Sequence, residues 1–259
     1  MPIGIFDSGV GGLTVYKSIS KFFPDADLVY LGDCARVPYG NKSKETIIRY
    51  SLECSSYLYE KHNVDVLVVA CNSASSYALD VLRNYFDIPV IGVVEPGVEA
   101  ALDVSKNGKI GVIGTYATVN SNAYKRNLLD KAPDIQVFQK ACPLFVPLVE
   151  EGMINHPVTY HMVKEYIQEL VDKGIDTLIL GCTHYPLLKG VISSVYPEIK
   201  IVDSSEVIIN KIKSIYNKKE SGLRKVFLTD ISPAFKKLES LLLENSKIEK
   251  IELSELCKI

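Results

Sequence analysis

The strongest constraint on the fold is a pattern that the chain uses twice. Asp65-Val66-Leu67-Val68-Val69-Ala70-Cys71-Asn72-Ser73-Ala74-Ser75 runs from an acidic residue through a branched apolar stretch to a cysteine and small polar residues. Asp176-Thr177-Leu178-Ile179-Leu180-Gly181-Cys182-Thr183-His184-Tyr185-Pro186 repeats that order 111 positions later. Such apolar runs mark parallel strands buried on both faces, and the polar residues after them start helices. Each sulfur is therefore expected where a strand ends and a helix begins. Free N–H groups and the helix dipole at that place favour a thiolate.

The repeat extends beyond the cysteines. Ile88-Pro89-Val90-Ile91-Gly92 meets Ile199-Lys200-Ile201-Val202-Asp203 at the same offset. Ile3-Gly4-Ile5-Phe6-Asp7-Ser8 resembles Ile110-Gly111-Val112-Ile113-Gly114-Thr115 at an offset of 107. Three strands in one order predict two pseudo-symmetric, three-layer α/β domains with mainly parallel sheets, one thiol from each and a site in the cleft between them. A chain of 259 residues, 47% of them hydrophobic, is long enough for two such cores. Breaks at Glu95-Pro96-Gly97 and Asp203-Ser204-Ser205 are read as the crossings. The expected division is 1–97 plus 207–259 for the first domain and 98–206 for the second, with second-domain strands near 110–113, 136–139, 177–180 and 199–202. The last segment, strand-like at 225–228 and 248–253, is too small to fold alone and should extend the first domain.

A formal net charge of −2 gives no general reason to expect nucleic-acid binding. No run approaches the roughly 18 apolar residues of a membrane span. The N-terminus opens on a strand without a basic and then apolar leader, so a cytoplasmic location is expected. The six cysteines show neither CxxC pairs nor a disulfide framework and are read as free thiols. Cys54, inside a helix expected over 44–60, reads as a small core hydrophobe, and Cys257 is expected to be equally dispensable. His62 reads as structural.

Asp7-Ser8-Gly9-Val10-Gly11-Gly12 is a glycine-rich turn into a helix, able to approach a ligand and present N–H groups to an anion. A dinucleotide fingerprint is the competing reading, with Asp33 to hold a ribose. The spacing is GxGGxx rather than GxGxxG, and Asp7 would put a carboxylate where a pyrophosphate must lie. Residues 36–43 form a loop with turn chemistry at Pro38 and Gly40. It is either a connector or a wall whose Tyr39 hydroxyl and Gly40 N–H meet a polar ligand. In the stretch from Cys142 to Gly152 two prolines predict a non-helical lead into a helix. Glu150 and Glu151 are then helix-start charges, unless one turns into the cleft. His156 and His161 lack a one-face spacing and a third ligand, so no metal site is expected.

Two thiols facing one carbon from opposite sides suit inversion there: one thiolate removes the proton and the opposite thiol delivers another. Thiols, with an unperturbed pKa of about 8.5, can serve as base or acid in turn. Asp7 and His184 are placed to reach the two sulfurs, one in each half. Nucleophilic catalysis by Cys182 with a histidine is an alternative that leaves Cys71 without a task. A redox pair would need the Cα atoms within ~7 Å, closer than two sides of a substrate allow. An amino-acid-binding module explains neither cysteine.

Ile5-Phe6-Asp7-Ser8-Gly9-Val10-Gly11-Gly12, Val37-Pro38-Tyr39-Gly40, Cys71-Asn72-Ser73-Ala74-Ser75, Leu144-Phe145-Val146-Pro147-Leu148 and Gly181-Cys182-Thr183-His184-Tyr185-Pro186 together resemble the glutamate racemases of the cofactor-independent aspartate/glutamate racemase superfamily. The resemblance runs from residue 3 to about 206. It implies interconversion of L- and D-glutamate without cofactor or metal, supplying D-glutamate for peptidoglycan, by a cytoplasmic homodimer. By position, Cys71 would act on D-glutamate and Cys182 on L-glutamate, assisted by Asp7, His184 and Glu150. Asp7, Ser8, Tyr39, Gly40, Asn72, Ser73, Thr183 and His184 match substrate-contacting positions. Ser73 stands where threonine is usual, and Leu228-Thr229-Asp230-Ile231-Ser232 where Thr-Gly-Asp is frequent.

Overall fold

The computed structural model describes residues 2–216, 220–243 and 246–256; Cys257 lies outside them. In chain order the strands are β1 (Ile3–Asp7), β2 (Leu28–Gly32), β3 (Val66–Val69), β4 (Val90–Gly92), β5 (Lys109–Gly114), β6 (Gln136–Ala141), β7 (Thr177–Gly181), β8 (Lys200–Asp203), β9 (Arg224–Leu228) and β10 (Lys247–Lys250). They form two parallel sheets flanked by helices, an α/β fold. One has the order β10-β9-β2-β1-β3-β4 and the other β6-β5-β7-β8.

The order β2-β1-β3-β4 in the larger sheet recurs as β6-β5-β7-β8 in the smaller, one strand more than the repeated sequence predicts. Central strands β1, β3 and β7 are buried along their whole length, as their continuous apolar runs require. The registers Phe6↔Val69 and Gly114↔Gly181 bring the β1/β3 pair and the β5/β7 pair to an end beside Cys71 and Cys182. Those carboxyl ends, where the strand order reverses about β1 and β5, are where parallel sheets hold ligands.

The stretches read as crossings stand at helix starts, Glu95-Pro96-Gly97 inside Val94–Val104 and Asp203-Ser204-Ser205 where β8 passes into Ser204–Lys213, and these helices pack on each other and on β7 and β8. Several local expectations are corrected. Pro96 sits in a first helical turn, where a missing N–H costs nothing. For the same reason Pro147 is inside the short helix Phe145–Glu150, which makes Glu150 its last residue rather than a helix-start charge. Residues 36–43 are not plain loop: 3-10 turns at Cys34–Arg36 and Tyr39–Asn41 flank a cis Val37–Pro38 bond. The strand expected over 248–253 ends at Lys250, and the helix Leu253–Leu256 begins where it should continue. His156 caps the helix Pro157–Asp172 by accepting from Val158 N.

The largest buried apolar cluster runs without a break from Ile5, Leu13 and Tyr30 to Leu180, Tyr185 and Ile208, so the two sheets share one core. Each fully buried Leu, Ile or Phe there contributes about 1.5–3 kcal/mol. That packing fixes the two cysteine loops against each other.

Candidate active site

A small cavity opens at the carboxyl ends of the two sheets. Of the residues expected in the site, all but Asp7 and Glu150 line it, and Cys71 and Cys182 both face it. Val37, Pro38, Thr115 and Val146 complete the wall.

Cys71 caps the helix Asn72–Tyr77, as expected for a strand-to-helix turn. The thiolate expected there is not favoured in the free site. Burial first, and then the nearby Asp7 charge, push the thiol up to about 12, against opposing hydrogen bonds from Ser8 and the Ala74 N–H. Its sulfur lies 3.3 Å from Ser8 Oγ. The second copy is built differently. Cys182 is followed by a turn and a 3-10 segment, Tyr185–Leu188, and the helix proper starts only at Lys189. A side-chain cation takes the place of the helix dipole. His184 Nδ1 lies 3.9 Å from Cys182 Sγ, and Nε2 lies 3.0 Å from Glu150 Oε1. Burial alone would lower the imidazole; hydrogen bonds with Cys182 and Glu150, and their charge, outweigh it and raise His184 to about 10. The imidazole is thus held between the Cys182 sulfur and the Glu150 carboxyl group, and both partners favour its charged form.

Asp7 ends β1 behind the cavity. Gly9 N and Gly12 N each donate to its Oδ2 at 3.0 Å, and Thr183 Oγ1 donates to Oδ1 at 3.3 Å. The anion served by the glycine-rich turn is therefore a side chain of the protein itself. Burial raises the Asp7 carboxyl, opposed by the His184 charge and these donors. A Cβ on Gly12 would sit 2.3 Å from Asp7 Cβ, and one on Gly11 would sit 2.4 Å from His184 Nδ1. The glycines are there to admit those two side chains. Thr14 Oγ1 donates to the Thr183 carbonyl at 3.0 Å, tying this turn to the second cysteine loop.

The dinucleotide reading loses its other support too. Asp33 is buried and accepts from Arg36 Nε, the Tyr39 hydroxyl and Thr229 Oγ1. That bond, 2.5 Å long, also means the Tyr39 hydroxyl is turned inward rather than toward a ligand; its residue contributes to the wall only. Gly40 is there because a Cβ would lie 2.6 Å from Thr115.

Ser73 Oγ lies 2.9 Å from Thr115 Oγ1 and 3.3 Å from Thr118 Oγ1, a group of hydroxyls contributed by both sheets. Thr115 was not among the expected residues, although the repeat sets it opposite Ser8. Asn72 Oδ1 accepts from the Tyr124 hydroxyl at 2.7 Å. Among the described residues no group of three His, Cys, Asp or Glu side chains is arranged to hold a metal ion.

An α/β protein with a cavity lined by hydroxyl and amide side chains and a thiol at the end of each of two matching parallel sheets is the class that fold and site define. The Asp/Glu/Hydantoin racemase family model matches residues 3–212, and the chain belongs to that family. It is accordingly an isomerase. It is 63% identical to glutamate racemase of Sulfurihydrogenibium sp. (strain YO3AOP1) and 59% identical to that of Persephonella marina, each over 100% of both chains. Among solved structures it matches glutamate racemase from Francisella tularensis in complex with D-glutamate, with a TM-score of 0.90 at 36% identity, covering 97% of each chain.

Proposed function

We propose that the protein interconverts L- and D-glutamate by moving a proton between the two faces of the α-carbon, with Cys71 and Cys182 as the two proton carriers. The observation that carries this reading is the pair of thiols, from equivalent strand ends of two sheets, on the wall of one cavity. The D-glutamate complex of the Francisella relative supports the choice of substrate.

In the L-to-D direction Cys182, as thiolate beside the His184 imidazolium, takes the α-proton, and Cys71, held as a thiol, delivers a proton to the opposite face. The reverse direction exchanges the roles. Proton removal and delivery balance, so no oxidant or co-reactant enters. For Cys71 to act as base its high pKa must fall. The substrate ammonium brings a positive charge into a dry site, where charges act strongly. The carboxylates meet the Asn72 amide and the hydroxyls of Ser8, Ser73 and Thr115 as donors, while the Thr183 hydroxyl, donating to Asp7, lines the wall. Asp7 and His184 set the protonation of the sulfurs, and Glu150 holds His184. Family resemblance extends the proposal to a cytoplasmic homodimer that needs no cofactor and supplies D-glutamate for peptidoglycan.

Turnover followed by circular dichroism tests the reading. L-glutamate loses its signal in the presence of the wild type, and L-aspartate does so far more slowly. Cys71→Ala and Cys182→Ala each abolish full racemisation in both directions. Near-normal turnover by either variant refutes the two-thiol scheme, and equal rates on both acids defeat the preference for glutamate.

A further inference from the structure

Tyr124, in the helix Ala123–Lys131, is wholly buried, and its hydroxyl donates to Asn72 Oδ1 at 2.7 Å. The bond reaches from the half containing β5–β8 to the residue that follows Cys71 in the other half. The ring is closely fitted. A Cβ on Gly97 would stand 3.2 Å from its Cε1, and one on Gly181 would stand 3.3 Å from its Cε2. Gly181 directly precedes Cys182, so the phenol rests against one cysteine strand while it bonds the residue beside the other cysteine. The nearby Ser204 side chain, first residue of the helix Ser204–Lys213, donates to the Leu180 carbonyl at 3.5 Å.

A carboxamide has an accepting oxygen and a donating NH2 group. With Oδ1 on Tyr124, the NH2 is turned the other way. Asn72 is 2% exposed and lines the cavity, and among the described residues its Nδ2 has no hydrogen-bond partner. Buried donors are costly to leave unpaired, and a ligand oxygen would satisfy this one. We infer that Tyr124 is a positioning residue that holds the Asn72 carboxamide so that Nδ2 donates to a carboxylate oxygen of the bound substrate. The inference rests on the proposed dicarboxylic amino-acid substrate.

Tyr124→Phe keeps the ring and removes only the hydroxyl. KM for glutamate should rise roughly three- to tenfold, the range of one net hydrogen bond, with kcat nearly unchanged. In an Asn72→Ala background the same change should leave KM where it was, because the residue it acts through is gone. Additive increases would overturn the inference, since a packing role produces them, and so would a fall in kcat at constant KM. A second readout does not depend on turnover. In protein labelled with 15N-asparagine, the Asn72 side-chain NH2 signals are identified by their loss in Asn72→Ala. They should broaden or move in ligand-free Tyr124→Phe, and shift on adding glutamate to the wild type. Signals unchanged by Tyr124→Phe contradict the inference. If they respond to Tyr124→Phe and yet the wild type racemises no glutamate, it is the proposed function that falls, and the positioning stands.

Discussion

Cys71 stands at the N-terminus of a six-residue helix, yet burial and Asp7 push its thiol up to about 12. Burial also acts on His184, but there two polar partners reverse its sign and carry the imidazole to about 10. Opposed effects of this kind cannot be read from spacing, because both depend on what else is packed nearby. The cysteines themselves were legible, since a repeated strand points at each. Tyr39 was legible as wall but not as an inward hydroxyl, because loop position says nothing of where a phenol ends. Glu150 is the residue whose role is simplest to test. Glu150→Gln removes a charged acceptor 3.0 Å from His184 Nε2. The His184 imidazole, followed by NMR titration, should then titrate well below about 10, and the basic limb of the rate profile should move down with it. An unshifted imidazole would mean that Glu150 does not hold the charge. Cys54 is fully buried and takes a hydrogen bond from Arg36 at 3.5 Å, away from the cavity. Cys54→Ala should keep full turnover and lower stability in urea by about 1 kcal/mol.

Strand β2 and strand β6 occupy equivalent places, but only three of the four equivalent strand pairs show in the sequence. The reason is physical. β2 is covered on both edges by β1 and β9 and reads LVYLG, whereas β6 is an edge strand reading QVFQKA with exposed and half-buried positions. An edge needs no continuous apolar run, so the match is lost. The glycine-rich turn is a similar case: its glycines are plain in the sequence, but their purpose appears only when Asp7 and His184 are seen against them. Gly12 has an ordinary helical φ of −63°, so added volume rather than backbone strain decides what a substitution does there. Gly12→Ala should lower unfolding stability by about 1–3 kcal/mol and reduce turnover sharply, as Asp7 is displaced. Chemical denaturation and circular dichroism check both. Normal activity in a stable Gly12→Ala protein would show that Asp7 does not need its present position.

The two sheets meet in one apolar cluster, and the buried charged groups of the site lie at its edge. This makes stability depend on pH in a definite sense. His184 rises from 6.5 to about 10 on folding. Its contribution is full below about 6.5 and is lost as pH climbs through about 10. Cys71, raised from 9.0 to about 12, acts in the same direction above pH 9. The urea midpoint should therefore fall steadily from pH 6.5 to pH 10, and a flat or rising midpoint would contradict the charged His184. Catalysis at the scale of the whole molecule depends on two halves serving opposite faces of one carbon. The direct measurement is the fate of solvent deuterium early in the turnover of L-glutamate in D2O, read at the α-carbon of each enantiomer by mass spectrometry. Two thiols on opposite faces predict deuterium in the D-glutamate formed, while the remaining L-glutamate keeps its proton. Deuterium entering both enantiomers equally would mean that a single base serves both faces, and would contradict the assignment of one sulfur to each.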